Sequence, residues 1–141
     1  MLKIDKDKCS NYFKDDVSGS IQYLKALGIK SNDYLSFLKE THGGYVEDNH
    51  LIINGEEYSV EMFFGESDES IYDIRKNNKM MKINNKKFVA IANLYGDDLL
   101  GMVPDDDGIY FCRLDDISLL LLIKISESFE DLMKMIEKEK K

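Results

Sequence analysis

A helix that halts at a double glycine constrains this chain more than any other feature. In "NDYLSFLKETHGGYV" (Asn32 to Val46), Tyr34, Leu35, Phe37 and Leu38 form one broad apolar face at helical spacing. Ser31 or Asn32 offers an N-cap oxygen, and Asp33 suits the positive end of the helix dipole. Gly43 and Gly44 supply left-handed backbone geometry at little steric cost, so the helix can end and the chain can reverse. The pattern then changes period. "HLIING" (His50 to Gly55) reads as a short strand entering an Asn54-Gly55 turn, with Gly55 structural. In "EEYSVEMFFG", Tyr58, Val60 and Met62 alternate with Glu57, Ser59 and Glu61, which is the signature of a second strand. The helix stops because a sheet must begin beside it.

The rest of the chain fits that division. Ser18 to Leu27 reads as a helix capped by Ser18 or Ser20 and ended by Gly28. Ser70 to Met81 reads as a weaker helix with Ile71, Ile74 and Met81 inward, its second half diluted by two Asn pairs. "KFVAIANLY" (Lys87 to Tyr95) is apolar on both faces and so is a central strand. "DLLGMVP" follows and ends at Pro104; "DDDG" (Asp105 to Gly108) is a turn by composition; "IYFCRL" (Ile109 to Leu114) is a strand. Another strand lies within "SLLLLIKI". The closing "SESFEDLMKMIEKEKK" is a helix capped by Ser126 or Ser128, with Phe129, Leu132, Met133 and Ile136 as its buried stripe. Helices first and last with strands between them define an α+β fold: a mostly antiparallel central sheet of about five or six strands, with N-terminal and C-terminal helices packed on it.

The length, 141 residues, suits one domain over 1–141. No apolar run reaches the roughly 18 residues of a membrane span. "MLKIDKDKCS" has no apolar export core, so a cytoplasmic location is expected. Cys9 and Cys112 lack a CxxC spacing and read as two reduced thiols, with a disulfide as the weaker option. The net charge of −8 disfavours nucleic acid, whose phosphates an acidic surface repels, and allows both solubility, its bland reading, and attraction to a basic partner. That charge is uneven. Arg75 to Lys87 carries only positive charge, whereas Tyr95 to Asp116 is strongly negative with Arg113 as its one base.

The order of features resembles the SMI1/KNR4, or SUKH, superfamily. The similarity lies in "YLSFLKETHGG" (Tyr34 to Gly44), "YGDDLLGM" (Tyr95 to Met102), "DGIYFC" (Asp107 to Cys112) and the terminal "SFEDLM", and covers about Ile29 to Glu137. The chain departs from the family pattern at His42, where Asn is more usual, and in having no tryptophan near Tyr110 or Phe111. The resemblance implies the α+β fold. For most bacterial members it also implies a non-enzymatic immunity protein that binds a partner toxin, often a nuclease, and blocks it. The alternative is a regulatory or scaffold domain of the kind found in fungi.

The acidic stretch supplies the candidate partner-binding residues. Asp97, Asp98, Asp105, Asp106 and Asp107, with Asp115 and Asp116 beyond them, would form an anionic face, and Tyr95 and Tyr110 would be its aromatic anchors. Charge reversal at Asp105, Asp106 and Asp107 is expected to slow association. The bland reading of these aspartates is turn chemistry. Gly43, Gly44, Gly96 and Gly108 read as structural, since no phosphate-binding glycine pattern is present. Three contiguous aspartates do not match the alternating ligands of a calcium loop, so no metal and no cofactor are expected. His42 and His50 belong to no HExxH or triad pattern, and no catalytic residue is assigned. The basic stretch lacks the interleaved aromatics that stack bases. The expected partner is a protein with a basic face, met by a monomer or weak homodimer, with no membrane involved.

Overall fold

The computed structural model of the chain describes residues 4, 12–80, 88–113 and 122–139. Its centre is a six-stranded antiparallel sheet built from β1 (Gly44–Tyr45), β4 (Val60–Phe63), β5 (Val89–Leu94), β6 (Leu99–Val103), β7 (Asp106–Cys112) and β8 (Leu122–Ser126), in spatial order β1-β4-β5-β6-β7-β8. A separate hairpin joins β2 (Leu51–Ile53) to β3 (Glu56–Tyr58). Among the described residues the helices are α1 (Ser18–Ala26), α2 (Asn32–Thr41), α3 (Ile74–Met80) and α4 (Phe129–Glu139). The α+β arrangement is the one the sequence pattern predicts.

β5 is the interior strand its composition requires. Val89, Ala90, Ile91, Ala92 and Leu94 are all buried, and Asn93 is the one polar side chain among them. On one side of the sheet, α2 and α4 close over an aromatic cluster. The Phe37 ring lies 4.9 Å from that of Phe63 and 5.0 Å from that of Phe129, and Tyr34 meets Phe129 edge-on at 5.3 Å. Such edge-to-face pairs add about 0.5–1.5 kcal/mol each beyond the area they bury. The α4 stripe lands as expected, with Phe129, Leu132 and Ile136 buried and Met133 half-buried. Ser128 is its cap, accepting from Asp131 N–H at 3.1 Å. The hairpin turns at Asn54 (φ 51°) and Gly55 (φ 82°), as an Asn-Gly pair should, and buries Leu51 and Ile53 while Tyr58 packs on Phe111 at 5.1 Å.

The helix stop operates one residue earlier than the glycines suggest. Ser31 Oγ accepts from Tyr34 N–H at 3.2 Å at the start of α2. At its end His42 itself takes the left-handed conformation (φ 67°), donating its N–H to Leu38 O at 2.8 Å. Gly43 follows at φ 85°, where a Cβ would stand 3.0 Å from the carbonyl oxygens of Phe63 and Phe64. The second left-handed residue therefore has to be glycine, because the reversing chain runs against the backbone of β4's end before β1 pairs with it.

Four local expectations are corrected. Neither Ser18 nor Ser20 caps α1. The N-cap position is Val17, and the serines donate instead, Ser18 to Asp16 and Ser20 to Glu66. α3 begins at Ile74 rather than Ser70, because Asp73 is the cap: its carboxylate accepts from Lys76 N–H and Ser67 N–H, both at 3.0 Å. That leaves Ile71 outside the helix and 62% exposed, not inward. The turn after Pro104 is shorter than "DDDG", since Asp106 already pairs with Val103 and lies in β7 with Asp107 and Gly108. Gly108 lies within β7 and not in the turn: a Cβ there would displace the end of the Lys124 side chain of β8 and stand 3.0 Å from Ser126 O.

Cys112 is buried in β7. Cys9, Met81, Asp115 and Asp116 lie outside the described residues, and with them the pairing of Cys9 and most of the basic stretch. Among the described residues no helix is long and apolar enough to cross a membrane.

Candidate functional site

The acidic candidates divide between two turns at opposite ends of β6. Tyr95, Gly96, Asp97 and Asp98 precede the strand, and Asp105 follows it. Five residues of strand separate them by on the order of 15 Å. The structure does not bring all of them into one face.

At the second turn two of the three carboxylates, Asp105 and Asp106, already have partners. Asp105 pairs with Lys30 at 2.9 Å, and its N–H donates to Gly28 O at 2.9 Å, fastening the turn to the end of α1. Asp106 accepts from Tyr110 OH at 2.5 Å and from Gly108 N–H at 2.8 Å, with Lys124 Nζ at 3.6 Å. The Tyr110 hydroxyl, then the Gly108 amide, hold the Asp106 carboxyl below its usual range, and the hydrogen bond to Asp106, then burial, in turn push the Tyr110 phenol up. Lys124 also reaches Glu127 at 3.1 Å, which raises its pKa. Asp106 and Tyr110 thus join β7 to β8 through Lys124, while Asp105 and Asp107 are both exposed, Asp105 in its surface pair with Lys30.

The first turn is built differently. Asp97 N–H donates to Leu94 O at 3.0 Å and Leu94 N–H to Asp98 O at 2.8 Å, closing a tight loop in which Gly96 (φ 95°) and Asp97 (φ 73°) are both left-handed. The loop leaves Tyr95 55% exposed and Asp97 exposed, with Asp98 half-buried. A Cβ on Gly96 would meet open space, so Gly96 serves backbone conformation, not a close approach.

Asp97 also lines a groove of about 400 Å³ that sequence reasoning missed. Tyr45, Glu61, Asn93 and Leu99 contribute to its walls, and Ile71 stands at it. The register explains the grouping: Tyr45 pairs with Met62, Met62 with Asn93 and Asn93 with Leu99, a single row across four strands. Asn93 Nδ2 donates to Glu61 Oε1 at 2.6 Å. One signal could have pointed here, namely that Asn93 is the lone polar residue inside the apolar run of β5.

A second hollow, about 510 Å³, lies between α1 and α2, with Asp15, Asp16, Lys25 and Lys39 of mixed sign around it. The two histidines are apart from both. His42 Nδ1 lies 3.5 Å from Asp15, and His50 Nδ1 lies 3.4 Å from Glu57 without a hydrogen bond. Among the described residues no three His, Cys, Asp or Glu side chains group as metal ligands. Of the basic stretch, Arg75 is committed to Glu66, and Lys76 Nζ donates to Asp68 O at 2.8 Å.

Comparison with known proteins gives one result. No curated protein and no solved structure matches the chain. The sequence model of the SMI1 / KNR4 family (SUKH-1) matches residues 24–135, a span that runs from α1 into α4 and takes in the sheet, the acidic turns and the groove. The chain therefore belongs to the SMI1 / KNR4 family (SUKH-1).

Proposed function

We propose that this protein is a non-enzymatic immunity protein that neutralises a partner toxin by covering a basic surface on it, a nuclease being the natural candidate for such a partner. Family membership supports the class of role. One observation supports the choice of surface. The turn Tyr95–Asp98 presents an exposed aromatic ring beside an exposed carboxylate on a tight hairpin, while the other acidic turn spends Asp105 and Asp106 on Lys30, Tyr110 and Lys124 and has only Asp107 exposed without such a pair. Exposed aromatics with neighbouring charge are the usual anchors of protein interfaces, and uncompensated acidic groups steer a cationic partner.

The test is rescue. A candidate toxin domain, sought among the genes that neighbour this one, is expressed with and without the protein, and the purified pair is sized. Restored growth together with a one-to-one complex is the expected result. No rescue, combined with stoichiometric capture of a host protein of no toxicity, would overturn the immunity role in favour of a regulatory domain.

A further inference from the structure

We infer that the groove lined by Tyr45, Glu61, Asn93, Asp97 and Leu99, with Ile71 at its rim, seats an arginine side chain of the partner protein, flanked in the partner by apolar residues. The inference deepens the partner-binding reading above and rests on it.

Three observations favour that occupant. The first is charge. Among the described residues Glu61 and Asp97 are the carboxylates of the groove, no lysine or arginine lines it, and neither carboxylate has a cationic partner. The second is preorganisation. Asn93 Nδ2 holds Glu61 Oε1 at 2.6 Å, so one oxygen fixes the carboxylate and the other is left for a ligand. The third is the rim. Ile71 is 62% exposed, and its exposure is built in: Asn77 Nδ2 donates to Ile71 O at 3.1 Å and to Ser70 O at 2.9 Å, which pins the backbone outside α3. A large aliphatic side chain held in water beside a concave anionic surface fits a partner that brings apolar contacts with its cation.

Arginine suits this chemistry better than lysine. Its guanidinium is planar and weakly hydrated, donates from five N–H groups and stacks on aromatic rings. The groove offers the half-buried Tyr45 ring, set edge-on to Tyr72, beside an apolar floor that includes Leu99, and two carboxylates for the edge. Lysine would have to surrender a tightly held water shell against those apolar walls.

The probe is the peptide acetyl-Leu-Arg-Leu-amide, titrated into the ¹⁵N-labelled full chain and followed by amide chemical shifts. Saturable shifts are expected at the Asn93 side-chain amide, Asp97 and Leu99, with an affinity at least about threefold better than for the lysine peptide and no saturation by the citrulline peptide. Glu61→Gln and Asp97→Asn should each weaken binding about fivefold or more while keeping a dispersed spectrum. Asn at position 97 tolerates the left-handed backbone there, so that variant keeps the test open if Glu61→Gln disturbs the fold. Equal binding of the citrulline or lysine peptide, shifts centred on Asp105–Asp107, or both variants binding normally would overturn the inference. Toxin rescue by the two variants at full potency would overturn it too, with the immunity reading intact. Groove binding without any rescue would sustain the inference and overturn only the immunity reading.

Discussion

The side-chain amide of Asn78 binds both backbone groups of Ala90 as a neighbouring strand would. Asn78 Nδ2 donates to Ala90 O at 2.9 Å, and Ala90 N–H donates to Asn78 Oδ1 at 2.7 Å. The substitute is needed because β4 stops pairing with β5 at Phe63, apart from one further bond from Phe64 N–H to Ile91 O, and the chain then turns away. Asn49 does the same for Val60 at the other end of β4, with bonds of 2.9 and 2.8 Å. In both places one amide completes a ladder that the main chain leaves short, next to residues with no exposure at all.

Asn78→Ala should therefore destabilise the fold by about 2–6 kcal/mol, since two buried backbone groups would each lose a partner at about 1–3 kcal/mol. Urea denaturation measures it. A loss below about 1 kcal/mol would show that water replaces the amide and that the bracing is incidental.

Glu66 joins three segments. It accepts from Ser20 N–H at 3.0 Å and Ser20 Oγ at 2.5 Å, standing in for the N-cap that α1 lacks, and it pairs with Arg75 of α3. Glu66→Ala should cost about 2–3 kcal/mol, because a helix start and a buried hydroxyl both lose their acceptor. Glu66→Gln keeps an acceptor for Ser20 and should fall in between. Arg75, 44% exposed, should cost less than about 1 kcal/mol when cut to alanine. A double-mutant cycle that found most of the Glu66 effect coupled to Arg75 would reverse this ranking.

These bracing side chains also show what the sequence could and could not say. Helix and strand identities were legible wherever period and punctuation agreed: Ser31 and the glycines around α2, Asn54-Gly55, the apolar run of β5, the Phe129–Ile136 stripe. Long-range polar partners were not. Nothing local marks Glu66 as the acceptor for Ser20, 46 positions away, or Asn78 as the partner of Ala90. Asp73 could have been read as a cap, but the broader apolar pattern from Ile71 concealed it. The acidic stretch was legible as charge and not as geometry. Its halves fall on opposite ends of one strand, and the groove beside Asp97 depends on a register across four strands.

His42 holds a conformation that suits glycine or asparagine better (φ 67°). Its side chain gains only a contact of 3.5 Å with an aspartate that is 97% exposed, which is worth little. His42→Asn should raise stability by about 0.5–1 kcal/mol, since a short polar side chain relieves left-handed strain. Gly43→Ala should do the reverse by more than about 2 kcal/mol, because strain and a clash with two carbonyl oxygens combine. Gly55→Ala, also left-handed but facing open space, should cost about 1 kcal/mol. Equal losses at Gly43 and Gly55 would show that conformation alone matters.

Acid sensitivity should trace partly to Asp106. Its folded carboxyl sits below its usual range through the Tyr110 hydroxyl and the Gly108 amide, so its ionised form favours the fold. The contribution is complete above the unfolded carboxyl pKa, near about 4, and is lost as pH falls through the lower folded value. Between about pH 5 and pH 2, stability should fall less steeply in Asp106→Asn than in the parent chain. Parallel curves over that window would remove Asp106 as a source of the acid limb.

Under the proposed immunity role, association with a candidate toxin offers a comparison in which long-range charge cancels. Asp97→Lys and Asp105→Lys each move the net charge from −8 to −6, and both replace a left-handed aspartate (φ 73° and 65°), so the two share their steering loss and their backbone strain. What differs is local. Asp105 is spent on Lys30, whereas Asp97 borders the groove and the exposed Tyr95. At low salt, stopped-flow association should slow about tenfold for Asp97→Lys and no more than about twofold for Asp105→Lys. Raising the salt should narrow the gap only in part, because a charge at the contact is screened less than a distant one. Equal slowing would mean that overall charge alone guides the encounter. A larger loss at Asp105 would return the contact to the far end of β6.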